Sequence, residues 1–308
     1  MKPETKITTL NLDHPDYPRS VTDLSRPPTL YRVGTPPRWP IVAIIGSRRA
    51  SEYGLYMVNR IISQLAEYQV TIASGLAYGI DSAAQETALR YDLPVMAVLP
   101  TSLDQVYPRG NQALAAAIIS AGGSWWSLAP PQTVLAKYHF LQRNQLLAAL
   151  AQAVIVIEGS ESSGTLHTAN QALELNRAVY IIPADLTRAN AAAPLKLWRQ
   201  GAIPLIEGSE LISDLNLEPR LSKTALTGTL LPEQQLETET AAIYQLLQSG
   251  PLSLAAICQA LISQTLTAEA IAVKLLSLEK LRRLEFRLGR YYLATMTTER
   301  RKRQGNHQ

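Results

Sequence analysis

The sequence predicts an α/β protein: a doubly wound parallel sheet with helices on both faces, followed by a small C-terminal domain of winged-helix type. Three observations predict it. Apolar runs at residues 41–45 and 154–157 lack polar alternation and suit strands buried on both faces. Helical patterns separate such runs at regular intervals, which implies right-handed crossovers. Near Asn216 that rhythm stops, and a segment of Pro, Gly, Ser and Thr precedes three short helical patterns.

Each element follows from its local chemistry. Residues 1–40 contain Tyr17-Pro18, Pro27-Pro28 and Pro36-Pro37, which favour extended and turn geometry. They read as an extended arm lying against the main domain, with Leu30-Tyr31-Arg32-Val33 as a candidate edge strand. The main domain spans residues 41–215. Its strands are expected at 41–45, 70–74, 95–99, 124–128, 154–157 and 179–182, the last stopped by Pro183. Helices are expected from near Tyr53, over 81–90, from the polar loop 104–111 to about 121, over 140–150 and over 163–176. Residues 216–236 carry Pro219, Gly228 and Pro232 and read as a linker. Helical patterns at 239–248, 253–261 and 267–282, then two short runs around Leu288-Gly289 that read as a hairpin, make a winged helix over 237–294. Residues 295–308, with Arg300-Arg301-Lys302-Arg303, read as a basic disordered tail.

Composition narrows the function classes. The chain has 308 residues, enough for two domains, with 46% hydrophobic and 18% charged content, an ordinary soluble balance. A net charge of +4 permits a polyanionic partner without requiring one. The single cysteine, Cys258, excludes an internal disulfide framework. No early stretch reads as a secretion signal and no apolar run reaches membrane-spanning length, so the cytoplasm is the expected location.

In an open parallel sheet, ligands bind beyond the carboxyl ends of the strands. The first loop there brings Gly46, Ser47 and Arg48, with Arg49 beside them. A strand that ends in Gly-Ser and turns into a helix is expected to leave free backbone N–H groups, and guanidinium forks add charge for an anion. The competing reading is a surface turn with solvated arginines. A second loop brings Ser74, Gly75, Gly79 and Asp81, and a third brings Tyr107, Arg109 and Asn111. A further loop brings Gly159, Ser162, Ser163, Gly164 and Thr165. Gly164-Thr165 at a helix start is a candidate second anion cradle, unless Ser162 and Ser163 only cap a helix. Arg109 follows Tyr107-Pro108 and is either a phosphate contact or a solvated loop residue. Arg143 and Asn144 lie within a helix, where the arginine either pairs internally or meets the ligand. Tyr107, Trp125, Trp126, Tyr138, His139 and Phe140 supply rings, most of them expected in the core. Tyr107 and Phe140 are the candidates for stacking on bases, worth ~1–3 kcal/mol each. No His/Cys cluster stands at metal spacing, so neither a metal nor another cofactor is expected, and no obvious nucleophile stands with its base.

Gly46-Ser47-Arg48 with Ser51 and Tyr53-Gly54, the run from Ser74 to Ala84, and Leu103-Asp104 with Tyr107-Pro108-Arg109 and Asn111 form an ordered set of motifs. Phe140 with Arg143-Asn144, and Ser163-Gly164-Thr165 with Thr168-Ala169 and Ala172-Leu173-Glu174, complete it. The set resembles the DNA-processing protein A family, also called DprA or Smf, over about residues 15–215. The resemblance implies an extended Rossmann-like fold that binds single-stranded DNA and forms a homodimer. It implies a part in natural transformation and recombination, protecting incoming strands and loading the RecA recombinase, with no catalytic role. It also implies that Arg48 and Arg109 are the basic residues of the pocket, and that some relatives carry a C-terminal winged helix.

The sequence departs from the family pattern at several points. Gln85 stands where histidine is common, Gln145 ends the usual Arg-Asn-Arg run, and Ala184 and the alanine-rich loop 190–194 replace glycines. The alternative is a nucleotide-binding or nucleotide-hydrolysing enzyme on a similar sheet. Nucleotide phosphoribohydrolases resemble this chain in a Gly-Thr loop, but follow it soon with a catalytic glutamate; here the next glutamate is Glu174, more than a helical turn late. A third reading makes the winged helix the DNA reader, through Lys274, Lys280, Arg282 and Arg283, although the first turns of that helix hold few donors for base edges.

Overall fold

The computed structural model of the chain describes residues 6–161, 163–185, 187–220, 238–248, 250–261, 271, 275, 278, 284–287 and 290–293. The chain divides into two compact units, residues 1–223 and 224–308.

Unit 1 is built on a nine-stranded sheet. Its strands are β1 (Thr8–Leu10), β2 (Leu30–Gly34), β3 (Ile41–Ile45), β4 (Thr71–Ser74), β5 (Val95–Val98), β6 (Ser124–Ser127), β7 (Ala153–Val156), β8 (Ala178–Ile181) and β9 (Ile203–Pro204). They stand in the order β1-β2-β6-β5-β4-β3-β7-β8-β9. All pairs from β6 to β9 are parallel, and β1 and β2 extend the sheet antiparallel beyond β6.

The apolar run of β3 is buried on both faces, as its lack of alternation predicts. Val42 and Ile44 enter one core, and Ala43 and Ile45 the other. That period of two is the pleat of a strand between two helix layers. Helices α1 (Glu52–Leu65), α2 (Ile80–Arg90), α3 (Gln112–Ser120) and α7 (Gly208–Asp214) cover the first face. Helices α4 (Lys137–Leu150), α5 (Gly164–Glu174) and α6 (Ala192–Arg199) cover the second.

Five expectations need correction. The arm over residues 1–40 is part of the sheet, because Leu10, Val21 and Leu30 bury their side chains fully in the second core. Leu30–Gly34 is a strand but not the edge, since β1 pairs outside it. The alanine-rich segment is helical: a short 3₁₀ turn, Ala189–Ala191, leads into α6, and Pro194 sits in the first turn, where a missing N–H costs no helical bond. The domain also continues beyond residue 215, because Leu217 is buried and Arg220 donates to the Ala66 carbonyl at 3.1 Å. α4 begins three residues before the expected start at 140, where His139 Nδ1 accepts the Ala136 N–H at 2.9 Å and fixes the first turn.

In unit 2, α8 (Thr238–Gln248) and α9 (Leu254–Leu261) share a core with Ile271, Leu275 and Leu278, each of them helical. β10 (Leu284–Arg287) pairs antiparallel with β11 (Arg290–Leu293), placing Leu284 and Tyr291 in that core. The linker beyond Arg220, the turn at Leu288-Gly289, the basic side chains of Lys274, Lys280, Arg282 and Arg283, and the tail lie outside the described residues. Among the described residues no helix is long and apolar enough to cross a membrane.

Ile44 is fully buried in the central strand. Ile44→Ala is expected to cost about 2–5 kcal/mol, measured by urea unfolding followed through tryptophan fluorescence. A loss below about 1 kcal/mol would contradict a close-packed two-sided strand.

Candidate functional site

The strand order reverses at β3: β4, β5 and β6 lie to one side, and β7, β8 and β9 to the other. At such a reversal the loops leaving neighbouring strands part, and the crevice between them receives ligands. Here the loops after β3 and β7 enclose an open trough of about 480 Å³. A smaller cleft of about 70 Å³ adjoins it, and Arg48, Phe140 and Arg143 line both.

Arg143 forms the floor. It projects from α4, and its residue is only 8% exposed. Its guanidinium runs beneath Gly75, where an added Cβ would lie 1.1 Å from Nη1. Only glycine leaves that passage open. Nη1 stands 3.7 Å from Asp81 Oδ2, an ion pair too long to be a hydrogen bond. Nε and Nη1 are both buried without a hydrogen-bond partner. Each unmade bond of that kind costs about 1–3 kcal/mol. Burial pushes the Arg143 guanidinium below the usual arginine range, the Asp81 charge pushes it back, and the Arg48 charge lowers it further. Burial likewise pushes the Asp81 carboxyl up, against the Arg143 charge and the N–H groups of Ala77 and Gly75.

Arg48 and three rings make the walls. The Arg48 Cζ lies 5.9 Å from the centre of the Phe140 ring. Phe140 meets Tyr107 edge-on, with centroids 5.6 Å apart at 78°. Tyr78 and Tyr107 line the smaller cleft and are 50% and 40% exposed, so their faces are open to a planar group. The loops are clasped together. Gly79 has φ +79°, and a Cβ there would lie 2.3 Å from the Ser47 carbonyl oxygen. The next residue, Ile80, donates its N–H to that same oxygen at 3.1 Å. Asn111 Nδ2 donates to the Leu76 carbonyl at 2.8 Å, tying the third loop to the second.

Of the helices that start at this region, α1 and α5 are treated oppositely. At α1, Ser51 accepts the Gly54 N–H, and the Glu158 carboxylate accepts from Ser51 N at 2.9 Å and Ser51 Oγ at 2.6 Å. Glu158 is 4% exposed, so an internal carboxylate closes that end. This corrects the expectation of free N–H groups between the Gly-Ser turn and the first helix. At α5, Ser163 holds the N-cap position but makes no capping bond, and its Oγ is buried without a partner. That end faces the trough with its positive dipole uncapped.

Most of the expected residues meet here. Gly46, Ser47, Arg48 and Asp81 line the trough from one side, and Phe140, Arg143, Asn144, Ser163, Gly164 and Thr165 from the other. Gly75 and Tyr107 line the adjoining cleft. Ser74 does not reach either: it is fully buried, and its Oγ donates to the Ile44 carbonyl at 2.6 Å, bracing the sheet below. Arg109 is exposed on a 3₁₀ turn, Arg109–Asn111, and lines neither cavity. Ser162 lies outside the described residues. Trp125 and Trp126 belong to the core, whereas Tyr138 is 57% exposed against the His139 ring. Three further residues matter. Tyr78 carries a sequence signal, a large ring beside the turn at Gly79. Glu158 carries a weaker one, a charge ending an apolar run. Asn190 carries none, yet its carbonyl accepts the Gly159 N–H at 2.7 Å and its side chain lines the trough. Among the described residues no group of three His, Cys, Asp or Glu side chains gathers to hold a metal ion.

A doubly wound sheet with a guanidinium-floored trough at its reversal defines a Rossmann-like protein with a cationic cleft. Residues 8–216 match the model of the DNA recombination-mediator protein A family, and the chain belongs to that family. Protein Smf of Synechocystis is 35% identical over 221 residues, covering 70% of this chain and 55% of that protein. DNA processing protein DprA of Bacillus subtilis is 33% identical over 174 residues, covering 56% and 58%. The chain thus spans about half the length of the curated relatives it matches. The X-ray structure of DNA processing protein A from Streptococcus pneumoniae superposes with a TM-score of 0.64 at 31% identity, covering 68% of this chain and 74% of that one. DNA processing protein A from Helicobacter pylori, in a structure concerned with its single-stranded DNA binding mode, superposes with a TM-score of 0.62 at 30% identity and covers 70% and 98%.

Gly75→Ala is expected to drive the Arg143 guanidinium off the trough floor while the fold survives, because the colliding atom is the end of a long side chain. Hydrogen exchange of the Arg143 Nε–H, followed by NMR, should speed up at least about tenfold as that group meets water. Unchanged exchange would show that Gly75 does not govern the position of Arg143.

Proposed function

We propose that the trough holds a segment of single-stranded DNA, with phosphates on Arg48, Arg143 and the N-terminus of α5 and bases against Tyr78, Tyr107 and Phe140. The observation that carries this reading is the buried Arg143 guanidinium, with Nε and Nη1 unpartnered, directly beside those rings. Guanidinium groups meet phosphate oxygens at short range and with charge assistance. Rings stack on bases that are splayed out, as a single strand allows and a paired duplex does not. Arg109, exposed beside Tyr107, adds charge at the rim. Membership of the family supports the same reading, as does the single-stranded DNA binding of the Helicobacter pylori relative.

The reading extends to DNA processing in natural transformation and recombination, in the cytoplasm. The bound strand would be shielded and passed to a RecA-type recombinase by a homodimer of this chain. The role is one of binding without turnover and without a cofactor. Glu174, the first glutamate after Gly164, stands ten residues along α5, about 15 Å from its start. It accepts a hydrogen bond from Gln171 there, far from the trough that a hydrolase would need it to face. Unit 2 is read as a winged helix, with β10 and β11 as the wing.

Binding to oligothymidylate should weaken steeply with salt. Arg48→Ala and Arg143→Gln should each reduce the slope of log K against log salt by about 0.7, the value for one single-strand phosphate. An unchanged affinity in the double variant at about 0.1 M salt would exclude this trough as the strand site. Light scattering should give twice the 33.8 kDa mass of the chain, and a monomer at micromolar concentration would remove the homodimer.

A further inference from the structure

Two buried carboxylates stand at this end of the sheet, and they are held differently. Glu158 accepts two hydrogen bonds of 2.9 and 2.6 Å at the start of α1. It has the short contacts of a permanent part of the fold. Asp81 faces the Arg143 guanidinium at 3.7 Å, without a hydrogen bond to it, and accepts the Gly75 N–H at 3.1 Å. Among the described residues it is the one acidic side chain lining the trough, where the charges around it are Arg48, Arg49 and Arg143.

We propose that Asp81 is a built-in stand-in for the ligand's phosphate: its carboxylate keeps the Arg143 charge balanced in the empty trough and yields that guanidinium when a strand enters. This rests on the reading of the trough as a single-strand site. A guanidinium beside a backbone N–H is a donor set suited to a phosphate oxygen. Among the described residues the one acidic group facing that set is the Asp81 carboxylate, at a distance that leaves Nε and Nη1 unsatisfied. A phosphate meets those donors once the side chain turns from Asp81 toward the open side, and it then makes bonds that Asp81 does not make.

The arrangement sets a threshold. One small anion must compete with a tethered carboxylate that never leaves the site. A strand engages several positions at once, so its other contacts hold it while the exchange occurs. Asp81 thereby favours a polyanion over free phosphate at the same donors.

The test uses the full chain and two neutral replacements, the near-isosteric Asp81→Asn, which keeps an oxygen for the Gly75 N–H, and the smaller Asp81→Ser. Thermal melting confirms that a variant is folded, and the serine variant serves if the asparagine variant is not. Oligothymidylate binding should tighten at least about fivefold, an effect of the size expected for one removed like charge at a partly screened site. Inorganic phosphate, a poor ligand of the parent chain, should gain measurable affinity. In an Arg143→Gln background the gain should vanish. Weaker binding in the Asp81 variants would show that Asp81 only holds Arg143 in place, and a gain that persists without Arg143 would reduce it to general repulsion; either overturns the exchange. If Arg48→Ala with Arg143→Gln binds the strand as well as the parent does, the strand lies elsewhere. That failure is one of the site itself and is separable from the other two.

Discussion

The arrangement of the site depends on one buried cation. Arg143 is placed by α4 in a space that exists only because residue 75 has no side chain. A desolvated guanidinium is costly unless its donors are used, so the surrounding chemistry is organised to use them or to balance the charge. Asp81 balances it from the start of α2, and the trough opens beside the pair. The loops after β3 and β4 then have to meet closely enough to frame that opening. Gly79 makes this possible, because its backbone runs against the Ser47 carbonyl with no room for a Cβ. Three glycines in this frame, Gly46, Gly75 and Gly79, all mark close approach, and at each a Cβ would collide with another part of the frame.

Closing one helix end and opening the other gives the trough its direction. A helix N-terminus attracts negative charge through its aligned N–H groups. At α1 that attraction is spent on Glu158, which bridges Ser51 from the far side of the crevice. The bridge ties the loop after β7 to the start of α1, and so holds the two walls of the switch point at a fixed spacing. At α5 nothing internal plays that part, and Ser163 Oγ is left without a partner beside Arg143 and Asn144. The start of α1 is thus closed by an internal carboxylate, while the start of α5 is left open to the trough.

Much of this was legible in the sequence, and the boundary of what was legible is physical. The unbroken apolar run Ile41–Ile45 announced a strand buried on two faces, and the motif residues placed Arg48, Asp81, Arg143 and Gly164 around one opening. Pattern alone does not show where a side chain is aimed. Ser74 and Gly75 are adjacent, yet one braces the sheet and the other opens a passage. Arg143 read equally as an internally paired or a ligand residue, because its place is set by contacts with Gly75 and Asp81, more than sixty residues earlier. β1 has three residues, two of them threonine, too few to display a period, so its place in the sheet was hidden. Pro194 disguised α6, although proline in a first turn is compatible with a helix.

The antiparallel extension explains why a site at the middle of the sheet needs its far edge. The wall that carries Tyr107 belongs to the loop after β5, which is held by β6: Leu99 donates its N–H to the Trp126 carbonyl at 2.8 Å, and Ser127 Oγ donates to the Thr101 carbonyl at 2.7 Å. Without a neighbour, β6 would be an edge strand with unpaired backbone groups and a tryptophan facing water. β2 supplies that neighbour, pairing Arg32 with Trp126, and places the Arg32 guanidinium over the indole while Asp16 binds it at 2.9 Å. β1 then covers β2. The chain therefore begins by building the support for the third loop, and the aromatic wall opposite Arg48 inherits its rigidity from residues that come nowhere near the trough.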